Sequence, residues 1–281
     1  MNHMSHIEPT NTHLISVVIP TYNRENLILE AIKSVIAQTY INWELIIMDD
    51  ASTDNTESVV RDFIEENANK EPASLASLAS KIQYIRQPEN VGIAKNRNRG
   101  IEIAKGEYIA MLDSDDVWLD PEKLEKQIAL VLGQPRTVLV GTFAKVIDEE
   151  NHTIGSLEFE TEDLQIREKM LRRNQFVQSS LLYKKDAYIK AGGYDATYTV
   201  ADDYDLWLKM GLQEQEQALF ANIPEYMVGY REHTGSITKT KKLLAAREHL
   251  MIIKKYKHAR EYSHYYSAII KAYARILKAL F

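Results

Sequence analysis

Short apolar runs and longer amphipathic stretches alternate along the first 120 residues of the chain. A β-branched run that ends at proline or at acidic residues is typical of a buried strand, and apolar residues three and four apart are typical of a helix. Strands are predicted at His13–Pro20, Trp43–Met48, Ile82–Arg86 and Glu107–Leu112. Helices are predicted between them, at Glu25–Gln38, from the cap residues Ser52–Asn55 to about Asn67, and at Gly92–Lys105. This alternation predicts an α/β fold with a mostly parallel central sheet and with ligands at the carboxyl ends of its strands.

The pattern is less regular after Pro121. Further strands are predicted at Thr137–Ile147 and Gln178–Tyr183, and an acidic loop that opens a helix at Ala201–Met210. From Ser236 to the end there is neither Gly nor Pro, and Leu, Ile and Tyr recur at near-helical spacing, which predicts a helical tail with one break. The Ser/Ala/Leu repeat at 71–81 is interpreted as a surface insertion or a helix extension.

Charge is distributed unevenly between the tail and the rest of the chain. Residues 239–281 contain eleven Lys and Arg against two Glu, and the other 238 residues contain 23 basic and 38 acidic residues. An acidic body is a poor nucleic-acid binder, because duplex affinity comes largely from neutralised phosphates, so no nucleic-acid partner is expected. The basic tail either lies on an anionic membrane surface or packs on the body or on a second copy in a homodimer. Packing is favoured, because amphipathic helices of soluble proteins usually bury their apolar stripe.

The chain offers no signal for export or for membrane insertion. No apolar run approaches the roughly 18 to 20 residues that a spanning helix needs, and residues 1–13, predicted to be a flexible N-terminus, contain no signal-peptide segment. There is no cysteine, so disulfides and thiolate metal sites are ruled out. We expect a cytoplasmic protein, with peripheral contact at the inner membrane face as the alternative.

Glycine is absent from the first strand, turn and helix, and the first glycine of the chain is Gly92. A dinucleotide fold or a P-loop needs glycines there to bring backbone amides against phosphate, so both are unlikely. If the sheet binds a nucleotide diphosphate, a divalent cation held by carboxylates is the natural substitute.

The acidic cluster Asp113, Ser114, Asp115 and Asp116 directly follows the fourth predicted strand. Carboxylates this close repel one another, and a cation or strong hydrogen bonds usually offset that cost. The competing interpretation is a helix cap before Pro121 with solvated acids. The position after an apolar strand favours a ligand site. An EF-hand is excluded, because Trp118 stands where that loop requires Gly.

Five separated motifs resemble those of family 2 glycosyltransferases, in order and in spacing. They are Ser16–Asn23 (SVVIPTYN), Glu44–Thr53 (ELIIMDDAST), Asn90–Asn98 (NVGIAKNRN), Gly106–Trp118 (GEYIAMLDSDDVW) and Ala201–Trp207 (ADDYDLW). The resemblance covers roughly residues 14–235 and implies an inverting enzyme with the GT-A fold. It implies a donor-nucleotide half at 14–120, Rossmann-like, and an acceptor half at 121–235, followed by the basic amphipathic tail at 236–281.

The resemblance also assigns residues to the nucleotide-sugar donor. Tyr22 would stack on the base, Asp50 would accept a hydrogen bond from it, Arg97 would reach the base or the diphosphate, and Asp113 would contact the ribose. The implied donor set is Pro20, Thr21, Tyr22, Asn23, Asp50, Arg97, Asp113 and Ser114. The alternatives are a rim or core aromatic for Tyr22, a turn acid for Asp50, as is favoured for Asp49, and a solvated helix charge for Arg97.

By the same resemblance, Asp115 would ligate Mn²⁺ or Mg²⁺, together with Asp113 and with Asp116 in an assisting role. His233 resembles a histidine that completes this site in some relatives, although a lone His in a polar loop is more often exposed. The cation would neutralise the charge that builds on the departing nucleotide diphosphate.

Inversion needs a base on the opposite face of the sugar, and the matching residue is Asp203. Family members often have Glu-Asp where this chain has Asp202-Asp203. Asp202 and Trp207 would belong to the acceptor site; the alternatives are a helix N-cap for the acids and a core position for the tryptophan.

These features together predict a metal-dependent transfer of a single sugar, from a UDP-sugar by analogy, to a hydroxyl of a carbohydrate or lipid-linked acceptor in cell-surface polysaccharide or glycolipid biosynthesis. Single transfer is favoured because the Gln-x-x-Arg-Trp motif and membrane helices of processive members are absent. The alternatives are a sugar-phosphate nucleotidyltransferase, disfavoured by the missing Gly-rich loop, and a non-catalytic nucleotide-sugar binder.

Overall fold

The computed structural model of the chain describes residues 12–68, 79–212, 218–236, 240–259 and 262–280. Its nine-stranded sheet contains β1 (Ile15–Thr21), β2 (Trp43–Asp49), β3 (Ile82–Arg86), β4 (Tyr108–Met111), β5 (Val117–Trp118), β6 (Thr137–Ile147), β7 (Thr153–Leu157), β8 (Leu182–Lys184) and β9 (Leu219–Arg231). The helices are α1 (Ile28–Ile36), α2 (Thr56–Ala68), α3 (Ile93–Ile103), α4 (Lys123–Gly133), α5 (Asp163–Met170), α6 (Lys185–Lys190), α7 (Asp202–Gly211), α8 (Lys242–Lys255) and α9 (Tyr265–Leu280). Most of the 71–81 repeat and of the N-terminal segment lies outside the described residues.

The first four strands lie side by side in the order β3, β2, β1, β4, and they all run parallel. Every residue of β1 and β4 is buried, because helices cover both faces of the sheet. Alternate β1 side chains pack on α1 through Ile28 and Ile32 on one face and on α3 through Ile101 on the other. Burial on both faces explains why these strands are continuous apolar runs, and the predicted positions are confirmed.

Helix α3 packs unusually close to β1 and β2 at Gly100. A Cβ at this position would stand 2.8 Å from both Met48 Cγ and Val18 Cγ1, which is closer than carbon atoms approach in proteins. Glycine therefore sets the distance between helix and sheet. This close packing places Arg97, one turn earlier on α3, at the carboxyl ends of the parallel strands.

The second half of the sheet is mixed rather than mostly parallel. Strand β8 pairs antiparallel with β4 and with β6, and β9 pairs parallel with β6 but antiparallel with β5. The strand predicted at Gln178–Tyr183 is a 3₁₀ turn at Gln178–Ser180 followed by β8. The chain turns there because the Ser180 amide donates to the Val177 carbonyl. Strand β9 was not predicted: Pro224 interrupts its apolar pattern, and the pairing with β6 shifts register between Ile223 and Tyr226.

The tail packs on the body through both of its helices, as the favoured interpretation expected. Ile252 and Ile253 of α8, Tyr256 directly after it, and Ala268 and Ala272 of α9 are buried in the same core cluster as residues of α7. The break between the helices lies between 255 and 265. A second face of α9 exposes the large apolar side chains Tyr266, Ile270, Tyr273, Leu277 and Leu280.

A buried acid in the tail fixes the backbone in front of α7. Glu248 accepts hydrogen bonds from the Thr199, Val200 and Ala201 amides, at 2.8, 2.9 and 3.0 Å. Because these residues precede the Asp202-Asp203 pair, the tail holds the start of α7 in place.

We expect Glu248→Ala to lower the free energy of unfolding by about 1–3 kcal/mol, because three amides, of which that of Ala201 is buried, lose a charged acceptor. Urea unfolding followed by circular dichroism measures the change. Glu248→Gln, which retains a carbonyl acceptor, should lose distinctly less. Equal stability of the alanine variant and the native chain would show that the three hydrogen bonds make no net contribution to the free energy of unfolding.

Candidate active site

A cleft of about 820 Å³ opens at the carboxyl ends of β1, β2 and β4, where the sequence predicted a ligand site. Of the predicted residues, the cleft is lined by Pro20, Thr21, Tyr22, Asn23, Asp50, Arg97, Asp113, Ser114, Asp115, Asp202 and Asp203. Predicted residues that are as far apart in the sequence as Pro20 and Asp203 therefore line the same cleft. The other wall comes from residues 157–178 and from the tail, including His249 and Arg275.

The first loop of the cleft is held by side-chain to backbone hydrogen bonds rather than by glycine. Asn23 adopts a left-handed conformation with φ of 53°, and its Oδ1 accepts from the Thr53 amide at 2.8 Å. Tyr22, which is 43% exposed, lies beside it on the wall of the cleft. An exposed aromatic at this place presents a surface on which a base can stack.

Asp50 connects the first loop to the turn before α3. Its two carboxylate oxygens accept from the Val91 and Gly92 amides at 2.8 and 2.9 Å, and Gly92 has a φ of +87° that favours glycine. Asp49 accepts from the Ser52 amide and hydroxyl, as expected of a turn acid. In this structure Asp50 connects two loops through these hydrogen bonds and also lines the cleft. Its contact with a base stays a prediction.

Arg97 is a buried bridge between the two acidic motifs rather than a solvated helix charge. Its Nη1 donates to both oxygens of Asp202, at 3.1 and 2.9 Å, and its Nη2 donates to Asp113 Oδ1 at 2.8 Å. The guanidinium also lies over the Tyr194 ring, 5.4 Å from its centroid, which is within the roughly 6 Å of a cation–π contact. Burial raises the pKa of Asp113, and Arg97 opposes this only in part. The bridge therefore fixes the start of α7 against the end of β4.

Asp115 lies at the floor of the cleft, and His233 contacts it from 118 positions further along the chain. Asp115 Oδ2 lies 3.0 Å from His233 Nε2 and accepts from Arg24 Nη2 at 3.1 Å. Burial alone would raise the pKa of Asp115, but the His233 hydrogen bond and the Arg24 charge outweigh it and lower the pKa. Arg24, which sequence reasoning did not assign, thus neutralises this acid.

The Asp115–His233 pair has the geometry of two neighbouring metal ligands. Ligands that bind an octahedral ion at about 2.1 Å and at right angles stand about 3 Å apart. Carboxylate and imidazole are both suitable ligands for Mn²⁺. Asp113 does not converge with them, because its carboxylate is paired with Arg97. Of the predicted ligand set, the structure therefore brings together Asp115 and His233 but not Asp113.

Asp116 also lines the cleft, but both of its carboxylate oxygens are engaged in hydrogen bonds with the protein. It is buried, and it accepts from the Ser179 hydroxyl and from the Arg231 amide. Burial, and then the charge of Asp115, raise the pKa of Asp116. The fully buried Arg231 side chain in turn reaches the Asp115 carbonyl at 2.8 Å and Glu30 Oε2 at 2.8 Å. These contacts hold the acidic loop rigid.

Asp203 stands in the first turn of α7 and lines the cleft. Burial, and then the charge of Asp202, raise its pKa to about 7, and Arg97 limits the rise. Its Oδ1 accepts from the Tyr204 amide at 2.6 Å. A carboxylate that titrates near neutrality is suited to accept and release a proton.

Trp207 does not line an acceptor pocket, contrary to the sequence-based expectation. It is fully buried, and its ring lies 5.7 Å from Tyr183 and 6.1 Å from Tyr194. The reason is the direction of α7, which begins at the cleft and runs into the core, so that a residue one turn beyond Asp203 is already inside. The core interpretation of this residue is correct.

One other group of metal-type side chains occurs among the residues that the structure describes. Asp148, Glu150 and His152 lie close together in the turn between β6 and β7. Asp148 Oδ1 accepts hydrogen bonds from the Glu150 and His152 amides, as an acidic residue that stabilises a turn does. This group does not line the cleft.

Comparison with solved structures identifies the fold of the chain. The chain superposes on Staphylococcus aureus TarS 1-349 in complex with UDP-GlcNAc with a TM-score of 0.68 and 19% identity, over 94% of this chain and 72% of that one. It also superposes on the mannosyltransferase PcManGT from Pyrobaculum calidifontis, in complex with GDP-Man and Mn2+, with a TM-score of 0.63 and 18% identity, over 96% and 76% of the chains. The fold is that of the GT-A glycosyltransferases.

Comparison of the sequence with family profiles identifies the family to which the chain belongs. The profile of the family described as "Glycosyl transferase family 2" matches residues 16–192, so the chain belongs to this family and is a glycosyltransferase. It is 37% identical over 143 residues to the Escherichia coli UDP-Glc:alpha-D-GlcNAc-diphosphoundecaprenol beta-1,3-glucosyltransferase WfgD, which covers 51% of this chain and 50% of that protein. The chain thus spans about half the length of this relative. None of the helices in the described ranges has the length and apolar character that a membrane span requires.

Proposed function

We propose that this glycosyltransferase transfers a single sugar, with inversion, from a UDP-sugar to an acceptor hydroxyl, that it depends on Mn²⁺ or Mg²⁺, and that it acts in the assembly of a surface polysaccharide or glycolipid. The observation that carries the proposal is the pair of acidic sites in one cleft. Asp115 lies with His233 and Arg24 at one of them, and Asp203, with its pKa near 7, forms the other. Inverting transfer needs one site for the leaving diphosphate and one for the incoming hydroxyl.

The donor end of the cleft would bind the nucleotide diphosphate. Asp115 and His233 would hold the divalent cation, which supplies neutralisation of the charge that develops on the leaving group. Arg24 adds a positive charge beside the same carboxylate. Tyr22 supplies the surface on which the base stacks, and Asp50 lies within the same wall. The names of WfgD and of the TarS complex, which both include a UDP-sugar, support UDP as the nucleotide.

The acceptor end of the cleft would hold the hydroxyl against Asp203. In its ionised form this carboxylate takes the hydroxyl proton as the new glycosidic bond forms. Asp202 does not compete for that proton, because both of its oxygens are occupied by Arg97. The role of Asp202 is therefore to position: it orients α7 and raises the proton affinity of its neighbour.

We expect kcat/KM to rise with pH with unit slope and to level off above about 7, because only ionised Asp203 accepts a proton. The groups that set this value are Asp202 and Asp113, which raise the pKa, and Arg97, which lowers it. Asp202→Asn removes a neighbouring negative charge, so its profile should shift to lower pH. A flat profile between pH 5.5 and 8 in the native enzyme would argue against Asp203 as the base.

A panel of nucleotide sugars with Mn²⁺ tests the proposal, with release of free nucleoside diphosphate as the measurement. Acceptor-dependent release of UDP from one UDP-sugar, lost on addition of EDTA and restored by Mn²⁺, is the expected result. Pyrophosphate release would instead favour a nucleotidyltransferase, and binding without turnover would favour a non-catalytic nucleotide-sugar binder. Activity that is unchanged by EDTA would overturn the metal dependence.

A further inference from the structure

Four cationic side chains from two distant parts of the chain meet at the tail side of the cleft. Arg173 and Arg275 line the cleft itself. Arg172, Arg173 and Lys271 line a shallow depression that adjoins it. Partial burial, and then the charges of Arg275, Arg172 and Arg173, lower the pKa of Lys271, so the four charges act on one another. We define Arg172, Arg173, Lys271 and Arg275 as the cationic cluster.

The repulsion within the cationic cluster is only partly offset inside the chain, because Glu158 and Glu160 line the same depression without forming ion pairs with its members. Within the described ranges, none of its four members forms an ion pair with an acid, and Arg173 instead lies over the Phe159 ring at 5.1 Å. The two acids beside the depression are already engaged, Glu158 by the Tyr226 hydroxyl and Glu160 by Lys169. Like charges held together without a fully compensating counter-charge are stabilised by a bound anion.

A chain of contacts places the cationic cluster next to Asp203, on the side away from the donor. Tyr204, which follows Asp203, stacks on the His249 ring at 4.3 Å, and its hydroxyl donates to the Met170 carbonyl at 2.9 Å, just before Arg172. The charge of Arg275 acts on both Tyr204 and His249. On the opposite side of Asp203 lie Asp202 and Arg97, which lead to the donor end. The candidate base therefore stands between the two ends of the cleft.

The wall of the cleft carries polar atoms that lack partners. His249 Nε2 and Gln178 Oε1 are buried without a hydrogen-bond partner, and both residues line the cleft. Burial, and then Arg275, lower the pKa of His249 to about 3, so the ring stays neutral. A neutral imidazole and an amide oxygen suit the hydroxyl groups of a sugar, whereas a cationic pair of arginines suits phosphate oxygens.

We propose that the cationic cluster binds the diphosphate of an acceptor in which the sugar is linked through diphosphate to an apolar alcohol. This rests on the proposed function, since it places the acceptor sugar over His249 and Gln178 with one hydroxyl at Asp203. Arginine matches phosphate oxygens with paired donors in a fixed plane, and the three arginines and one lysine of the cluster offset the charge of a diphosphate. In this arrangement the acceptor diphosphate would lie on the tail side of the cleft and the donor diphosphate beside Asp115.

Titration with decyl diphosphate tests the proposal, in the presence of Mn²⁺ and saturating UDP so that the donor site is filled. Arg173→Gln and Arg275→Gln should each weaken binding about tenfold or more, because each removes a charged partner of the diphosphate. Lys278→Gln is the matched control, since Lys278 is an exposed cation on α9 outside the cleft. UDP binding and the melting temperature of each variant show whether it is folded. If Arg275→Gln does not fold, Arg173→Gln still tests the proposal, because Arg173 is exposed.

Equal binding by all three variants, or displacement of decyl diphosphate by UDP, would overturn the proposal. Inorganic pyrophosphate separates a linked diphosphate from the free ion: weaker binding than decyl diphosphate supports the proposal, and tighter binding contradicts it. Phosphatidylglycerol vesicles test a membrane contact, which is the better account if the arginine variants lose vesicle binding but retain decyl diphosphate. Slow hydrolysis of the UDP-sugar without acceptor, measured in the native chain and in Lys278→Gln, reports the proposed function independently of the cationic cluster.

Discussion

Asp203→Asn is expected to reduce sugar transfer by about 10²–10⁴-fold while the affinity for the nucleotide sugar stays unchanged. The asparagine has nearly the same shape, and its carbonyl oxygen still accepts from the Tyr204 amide. It cannot take a proton from the acceptor hydroxyl. The measurement is kcat with saturating donor, compared with donor affinity from a direct binding titration.

The matched control is Asp202→Asn, which changes the adjacent acid in the same way. This substitution disturbs the Arg97 bridge, so it should weaken donor binding and stability more than the chemical step. The assignment of the base would be wrong if Asp203→Asn retained more than about a tenth of the native rate, or if the two variants lost rate and affinity in the same proportion.

The same substitution should make the protein more stable at alkaline pH. A carboxyl whose folded-state pKa is raised contributes stability below its unfolded-state pKa, and this contribution is lost as the pH rises through the folded value of about 7. At pH 8 the native chain holds an ionised Asp203 that burial disfavours, whereas the asparagine is neutral. Asp203→Asn should therefore unfold at higher urea concentration at pH 8, by up to about 4 kcal/mol, with little difference at pH 4. A gain that does not depend on pH would contradict this origin.

Such a gain in stability on loss of activity is typical of residues kept in an unfavourable environment for their chemistry. Glu248 makes the opposite contribution, since it anchors the backbone before α7 from the tail. The tail thus does more than cover the apolar face of the body. It fixes the position at which the disfavoured acid is held, which explains why a segment outside the matched family region contributes to the cleft.

The part of the fold that sequence predicts well is the part whose burial is decided locally. Strands β1 to β4 are covered on both faces, so each is an apolar run bounded by polar residues, and its ends are visible in the sequence. Strand β9 is decided by its partners: its burial alternates irregularly, and β6 pairs with it from Thr137 to Ile147 despite Pro224. Pairing between distant strands leaves no local periodicity to recognise.

The residues of the candidate site also divide into those that a local motif reveals and those that only distant contacts bring into place. Asp115 and Asp203 are recognisable because each belongs to a motif beside the element that positions it. Arg231 and Glu248 are not, because their partners are far away in sequence: Arg231 reaches Glu30 across 201 positions, and Glu248 reaches Thr199 across 49. The prediction for Trp207 was wrong for another reason. The residue matches its motif, but the path of α7 decides which way the ring points, and the ring is buried in the core.

Asp115→Ala is expected to cause the second large loss, and unlike Asp203→Asn it should affect binding as well as turnover. Without this carboxylate the cation would keep His233 as its protein ligand and lose the charge that balances it. We expect Mn²⁺ binding in the presence of UDP to weaken at least tenfold, and kcat/KM to fall by about 10³-fold or more. Electron paramagnetic resonance of free Mn²⁺ measures the first, and UDP release the second.

The control for this loss is Glu150→Gln, which removes a charge from the exposed acidic turn at Asp148, Glu150 and His152. If that turn were the metal site, Glu150→Gln would weaken Mn²⁺ binding and Asp115→Ala would not. His233→Ala separates the roles further: a histidine ligand predicts weaker Mn²⁺ binding, whereas a histidine that only orients Asp115 predicts unchanged Mn²⁺ affinity with slower turnover. Loss of Mn²⁺ binding in both the Asp115 and the His233 variants, with Glu150→Gln unaffected, would establish the pair at the cleft floor as the metal ligands, because no third residue of the predicted set faces them.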